Sequence, residues 1–135
     1  MPNKKLSICI VTLNDRENLI ATLKSIEFST EIEIIIQDGV SSYDIEEVLK
    51  QFDNIFNVIK FHQEIDVGIY DAMNKAVERS SADFLMFLNC GDRIASGMQS
   101  TLLNLLSKVD PKIHCIKFLA DVSGEGIKAE RASKL

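Results

Sequence analysis

The 135-residue chain has only three cysteines and two histidines. Cys9, Cys90 and Cys115 form no CxxC pair, and His62 and His114 stand apart from each other and from any ligand spacing. Neither a zinc cage nor a disulfide framework follows from them, and an odd, scattered set of thiols fits a reducing compartment. Cys9 and Cys115 lie inside apolar runs, where a free thiol is read as a small core residue. Nucleotide and hydrolase signatures are missing too. No GxGxxG follows the first strand, and neither a GxxxxGK[ST] loop nor a GxSxG elbow occurs, so the dinucleotide, P-loop and α/β-hydrolase readings lose support. Positive charge is in deficit, with 15 Lys and Arg against 20 Asp and Glu for a net charge of −5, so no nucleic-acid partner is expected. No apolar run approaches the ~18 residues of a membrane span. The start, Met1 to Lys5, leads into a short apolar run without a cleavage-site pattern, so no signal peptide is expected.

What is present is a core. With 46% hydrophobic and 26% charged residues the composition is globular. Surface scaling for this mass leaves roughly a third of the unfolded chain's surface exposed, enough for one domain. Leu6 to Thr12 (LSICIVT) is a β-branched run of strand length. Asn14 followed by Glu17 reads as the cap of a helix whose apolar stripe is Leu19, Ile20, Leu23 and Ile26. Glu33 to Gln37 is a second strand, stopped by Asp38-Gly39. Ile45, Val48, Leu49 and Phe52 repeat at helical spacing. A third strand is expected over Phe56 to Phe61, a helix through Ile69, Ala72, Met73, Ala76 and Val77, and a fourth strand, buried on both faces, over Phe84 to Leu88. Ser96 to Gln99 reads as a capping box for a helix ended by Pro111, and Ile113 to Leu119 as a fifth strand. The pattern weakens after Ala120, so a domain over 1–122 with a weakly structured tail over 123–135 is expected. Alternating strands and helices predict an α/β three-layer sandwich with a mainly parallel, Rossmann-like sheet.

In such sheets ligands bind beyond the carboxyl ends of the strands. The segments that follow the strands are Thr12-Leu13-Asn14, Asp38-Gly39-Val40-Ser41-Ser42, Glu64 to Gly68, and Asn89-Cys90-Gly91-Asp92. Right-handed crossovers put all of them on one side, so Asp38, Asp66, Asp71 and Asp92 are expected around one crevice. Gathered carboxylates repel unless a cation joins them. Oxygen ligands without histidine or thiolate favour Mg²⁺ or Mn²⁺, shared with substrate phosphates. Asp, Asn and Ser are also ordinary turn formers at strand ends, and that reading stays open here.

The blocks SICIVTLNDRENLIATLKSI, EIIIQDGVSSYD and DVGIYDAMNKAVERSSADFLMFLNCGD resemble family 2 glycosyltransferases of the GT-A fold, in the branch that builds bacterial surface polysaccharides of colanic-acid type. The likeness runs from residue 6 to about 95, and more loosely to 122. It implies a nucleoside-diphosphate sugar donor and a saccharide or lipid-linked saccharide acceptor. It also implies inverting, metal-dependent transfer, and a cytoplasmic location at the inner face of the cell membrane. By the resemblance Val11, Thr12 and Leu13 line the base pocket, Asp38 and Gly39 meet the base, and Asn14 and Glu17 lie beside it. Asp66, Gly68, Asp71 and Asn74 run along ribose and diphosphate, and Asp92 binds the metal that bridges the diphosphate.

The chain departs from the family pattern in three places. Leu13 stands where many relatives carry an aromatic residue. The first acid of the metal motif is absent from Asn89-Cys90-Gly91-Asp92. Asp44 comes one place late in GVSSYD, which suits a helix cap. Only 43 residues follow Asp92, and Asp110 and Asp121, the remaining aspartates, do not sit where the family's general base would. The chain is therefore expected to be the donor-binding half of such an enzyme. The alternative is a non-catalytic nucleotide-binding or assembly module that self-associates through an exposed sheet edge. A receiver-type signalling domain needs an acidic pair after strand one, where this chain has Asn14-Asp15-Arg16.

Overall fold

Strands and helices alternate along the computed structural model, which describes residues 4–116. The order is β1 (Leu6–Thr12), α1 (Arg16–Lys24), β2 (Ile32–Asp38), α2 (Ile45–Leu49), a 3-10 turn (Phe56–Val58), β3 (Ile59–Gln63), α3 (Ile69–Arg79), β4 (Phe84–Phe87) and α4 (Met98–Leu106). The four strands are parallel, in the spatial order β3-β2-β1-β4. The chain moves outward from β1 through β2 to β3, then returns to place β4 on the other side of β1. That reversal makes a topological switch point between the carboxyl ends of β1 and β4.

Both faces of β1 and β2 are covered, which is why their sequences are almost continuously apolar. Ile8, Ile10, Ile34 and Ile36 point to one side and join Leu19 and Leu23 of α1, Ile45 and Leu49 of α2, and Leu102 and Leu106 of α4. On the opposite face Cys9 and Ile35 meet Ala76 of α3. Alanine at positions 72 and 76, one turn apart and both buried, lets α3 lie close over β1 and β2. Each fully buried Ile or Leu contributes about 1.5–3 kcal/mol, so the first face carries most of the stabilisation. The layering is the expected three-layer α/β arrangement.

One buried carboxylate ties the sheet together at its far end. Glu33 of β2 accepts from Ser7 Oγ (2.6 Å), Lys60 Nζ (2.7 Å), the Ser81 amide (2.5 Å) and Ser81 Oγ (2.9 Å). It thereby links β1, β2, β3 and the turn before β4. Burial alone would raise its pKa, but the Lys60 ammonium and the Ser7 and Ser81 donors outweigh it and hold the group down at about 2.

Several local expectations are corrected. Helix α1 is capped at Asp15, without a bond from its side chain to the backbone, because Asn14 is recruited across to Ser42. The Ser96–Gln99 box does not form. Gly97 takes the cap position, and both amide atoms of Gln99 bind the backbone of Glu27 instead (2.9 and 2.7 Å). The third strand begins only at Ile59, after the 3-10 turn. Strand β4 is not buried on both faces. Leu85 and Phe87 remain 38% and 37% exposed because α3 lies over β1 and β2 and leaves that face of β4 uncovered. Ile113–Ile116 form no strand, and Cys115 is exposed rather than core. The remainder of the expected fifth strand, the domain end at 122 and the tail over 123–135 lie outside the described residues.

Candidate functional site

Because the sheet is wholly parallel, the loops after all four strands meet at one edge. Register places Thr12, Asp38 and Gln63 in a row across the ends of β1, β2 and β3, pointing to the same face. The three side chains differ sharply in access. Asp38 is fully buried, Thr12 nearly so, and Gln63 is exposed. The Asp38 carboxylate accepts three hydrogen bonds, from the Ser41 hydroxyl (2.5 Å), the Ser41 amide (2.8 Å) and Gln63 Nε2 (2.7 Å).

Two loops are clasped above this row. The Asn14 amide donates to Ser41 Oγ (2.7 Å), and Asn14 Oδ1 accepts from the Ser42 amide (2.7 Å) and hydroxyl (3.1 Å). Asn14 adopts φ 51°, which its short polar side chain tolerates. Val40 adopts φ 72°, which a β-branched residue rarely does, so the clasp holds it under strain. Leu13 and Val40 form apolar lips, 53% and 47% exposed. Val11 is half-buried behind them on the other face of β1. Beneath the lips, the hydroxyls of Thr12 and Tyr43 are buried and have no hydrogen-bond partner among the described residues. Burial raises the pKa of Tyr43, and also that of Cys90, whose thiol donates to the Val11 carbonyl (3.5 Å).

The third loop closes the same edge. Asp66 Oδ2 lies only 2.7 Å from where a Cβ on Gly39 would stand, so a side chain at position 39 would displace the loop. Asp66 Oδ1 accepts from the Gly68 amide (3.0 Å), and Gly68 takes φ 129°, a glycine conformation, to start α3. Asp71 accepts from the Val67 amide (3.0 Å) and pairs with Lys75 (3.1 Å), which holds its pKa below the usual carboxylate range. Lys75 also donates to the Ile65 carbonyl (2.9 Å). Asn74 is exposed on the next turn of α3.

Across the switch point, Asn89 to Asp92 form a tight turn. The Asp92 amide donates to the Asn89 carbonyl (2.9 Å), Gly91 takes φ 96°, and its amide donates to Thr22 Oγ1 (2.8 Å). The Asp92 carboxylate is exposed. The expected gathering of carboxylates is corrected here. Asp38 is enclosed, Asp66 and Asp71 are spent on their own loop, and among the described residues no three His, Cys, Asp or Glu groups could together hold a metal. Glu17 also stands apart, lining a cavity of about 470 Å³ on the flank of α1 with Lys24 and Arg93. Asp44 caps α2 by accepting from the Glu47 amide (3.2 Å), as its late position suggested. Ser41, Ser42, Tyr43 and Gln63 carry much of the site; the sequence placed the two serines after the second strand without giving them a role, and Tyr43 and Gln63 went unassigned. Two serines after Asp38-Gly39 were the available signal for the first pair. Gln63 had none, since only strand register brings it to Asp38.

The Glycosyl transferase family 2 profile matches residues 7–130. A PGL/p-HBAD biosynthesis glycosyltransferase of Mycobacterium bovis is 34% identical over 91 residues, covering 65% of this chain and 36% of that protein. A GalNAc(5)-diNAcBac-PP-undecaprenol beta-1,3-glucosyltransferase of Campylobacter jejuni is 31% identical over 103 residues, covering 73% of this chain and 33% of that protein. The chain thus spans about a third of the length of these relatives. Among solved structures, S. aureus TarS in complex with UDP superposes with a TM-score of 0.67 at 21% identity, over 76% of this chain and 32% of that one. The Pyrobaculum calidifontis mannosyltransferase PcManGT, solved with GDP-Man and Mn²⁺, gives 0.68 at 12% identity, over 87% and 37%. Within residues 4–116 no helix is long and apolar enough to cross a membrane. The chain belongs to glycosyl transferase family 2, and its fold is the Rossmann-like GT-A sheet.

Proposed function

We propose that this chain carries the donor-binding part of a glycosyltransferase that uses a nucleoside-diphosphate sugar to build surface polysaccharide or glycolipid. The observation that carries this reading is the division of the switch-point edge. On one side lies a hydrogen-bonded wall built on Asp38, and on the other an exposed carboxylate, Asp92, on a tight turn. The base sits between the Leu13 and Val40 lips, with Val11, Thr12, Asn14, Asp38 and Gly39 around it and Glu17 further out along α1. Ribose and diphosphate run along Asp66, Gly68, Asp71 and Asn74. Gly68 carries no side chain and has open space where one would stand, which lets phosphate oxygens approach the start of α3, while the Asp71–Lys75 pair fixes the loop.

A divalent cation fits this edge only in the shared mode that Mg²⁺ and Mn²⁺ favour, with one protein carboxylate completed by substrate phosphates. Asp92 would hold it, and when bound it supplies Lewis-acid stabilisation of the departing nucleoside diphosphate. The residues of the chain do the rest. They bind the base, align the diphosphate, and keep the face of C1 opposite the breaking C1–O bond toward the open side of the crevice. There the acceptor hydroxyl attacks C1 with inversion, and a general base takes the hydroxyl proton. That acceptor is a saccharide or lipid-linked saccharide, and the enzyme works in the cytoplasm as a peripheral protein at the inner membrane face.

Calorimetry with UDP, GDP and their sugars tests this. Binding that strengthens with Mn²⁺ and loses that gain in Asp92→Ala supports it; no binding by any nucleotide overturns it. A second reading, a non-catalytic module assembling as a homo-oligomer, is favoured by the uncovered face of β4. Leu85, Phe87 and Val77 are exposed there, beside a groove of about 890 Å³. Nucleotide-independent dimers in sedimentation, dispersed by Phe87→Lys, would support that reading.

A further inference from the structure

The Asp38 carboxylate is the obvious partner for a base N–H, yet it has no exposed surface and already accepts three donors. A ligand at the crevice meets Gln63 first. Gln63 ends β3 directly opposite Asp38 and is exposed. Its amide orientation is settled by chemistry. Asp38 is an acceptor, so the atom 2.7 Å from it must be the NH₂ nitrogen, which turns the amide carbonyl away. The carbonyl carries no protein donor among the described hydrogen bonds, which include the bond from the Nε2 side.

We infer that Gln63 is the residue that selects the nucleobase, presenting Oε1 as an acceptor held in place by Asp38 and Ser41. This deepens the donor-binding reading and rests on it. Gln63 then turns an acceptor toward the ligand, beside the second Nε2 hydrogen that the bond to Asp38 does not use. A base with an N–H flanked by carbonyl groups, such as the imide of uracil, satisfies it. The corresponding position of cytosine is a ring nitrogen with a lone pair, which would face Oε1 and leave both groups unpaired. A site built to accept an N–H rejects a ligand lacking one, since the unpaired polar groups must be desolvated for nothing. Asp38 and Ser41 act through Gln63 as positioning residues.

The test compares UDP with CDP, nucleotides alike in sugar and diphosphate, by calorimetry on the full chain. The wild type is expected to bind UDP at least about tenfold tighter than CDP. Gln63→Met keeps the length and the exposed position while removing the amide. It should bring the two affinities within about threefold, chiefly by weakening UDP, and Gln63→Glu should weaken UDP further by placing a second carboxylate against Asp38. Circular dichroism melts confirm that both variants fold. Wild-type selectivity retained in Gln63→Met overturns the inference and leaves the donor-binding reading standing. Equal binding of UDP and CDP by the wild type overturns it too. No binding of either nucleotide overturns the donor-binding reading itself.

Discussion

Replacing Glu33 by Gln should cost the protein stability at neutral pH and flatten its acid sensitivity. The carboxylate is 98% removed from solvent and holds four donors from two neighbouring strands and one turn. Its pKa is held at about 2 against an ordinary 4.5. A depressed carboxylate stabilises the fold above its unfolded pKa, and that stabilisation is lost as pH falls through the folded value. The window therefore runs from about pH 5 down to pH 2. At ~1.4 kcal/mol per pKa unit, the shift corresponds to about 3 kcal/mol. Lys60 is half exposed and screened, which lowers the figure to about 2 kcal/mol. Gln keeps the volume and one acceptor but brings an NH₂ either against the Lys60 ammonium and the Ser81 hydroxyl or against the Ser7 hydroxyl and the Ser81 amide. Urea unfolding at pH 7, 5 and 3 would measure this. The wild type should lose about 1.5 kcal/mol between pH 5 and 3 beyond what Glu33→Gln loses, and the variant should start about 2 kcal/mol lower at pH 7. Parallel pH profiles for the two proteins would refute the assignment of this acid lability to Glu33.

Two further outcomes follow from local geometry. Val40→Gly releases a β-branched residue from φ 72° and, after the entropy that glycine loses on folding, should stabilise the protein by about 1 kcal/mol in thermal or urea melts. Titration with a thiol reagent at pH 8 should find one fast group in the folded protein, Cys115, which is exposed, and a slower Cys90. Cys9 should react only in denaturant, because burial, with Glu33 nearby, pushes its thiol to about 12.

The fold was legible because its signals are strong and local. The β-branched runs at Leu6–Thr12 and Ile32–Asp38, and the alanine spacing of α3, state their elements without help from neighbours. Expectations failed where tertiary contacts compete with local ones. Asn14 and Gln99 both look like capping residues, yet each is drawn to a partner far along the chain, Ser42 in one case and the Glu27 backbone in the other. The burial of β4 was misread for a related reason, since a strand's composition cannot report that its covering helix lies over the two strands beside it. In the site, the acids were found by type and position. What sequence could not supply was their occupation. Asp66 and Asp71 fasten a loop, and Asp38 is enclosed by Ser41 and by Gln63, a residue that only strand register brings to it.

The central claim is that the carboxyl edge of the sheet receives a nucleoside diphosphate. Amide NMR of the labelled chain, titrated with UDP and with GDP in the presence of Mg²⁺, tests it most directly. Shifts concentrated at Thr12–Asn14, Gly39–Ser42, Asp66–Gly68 and Gly91–Asp92 are predicted, with the far end around Ser7, Glu33 and Ser81 unmoved. Shifts confined to the β4 groove around Leu85 and Ile113, or none at saturating nucleotide, would contradict the account.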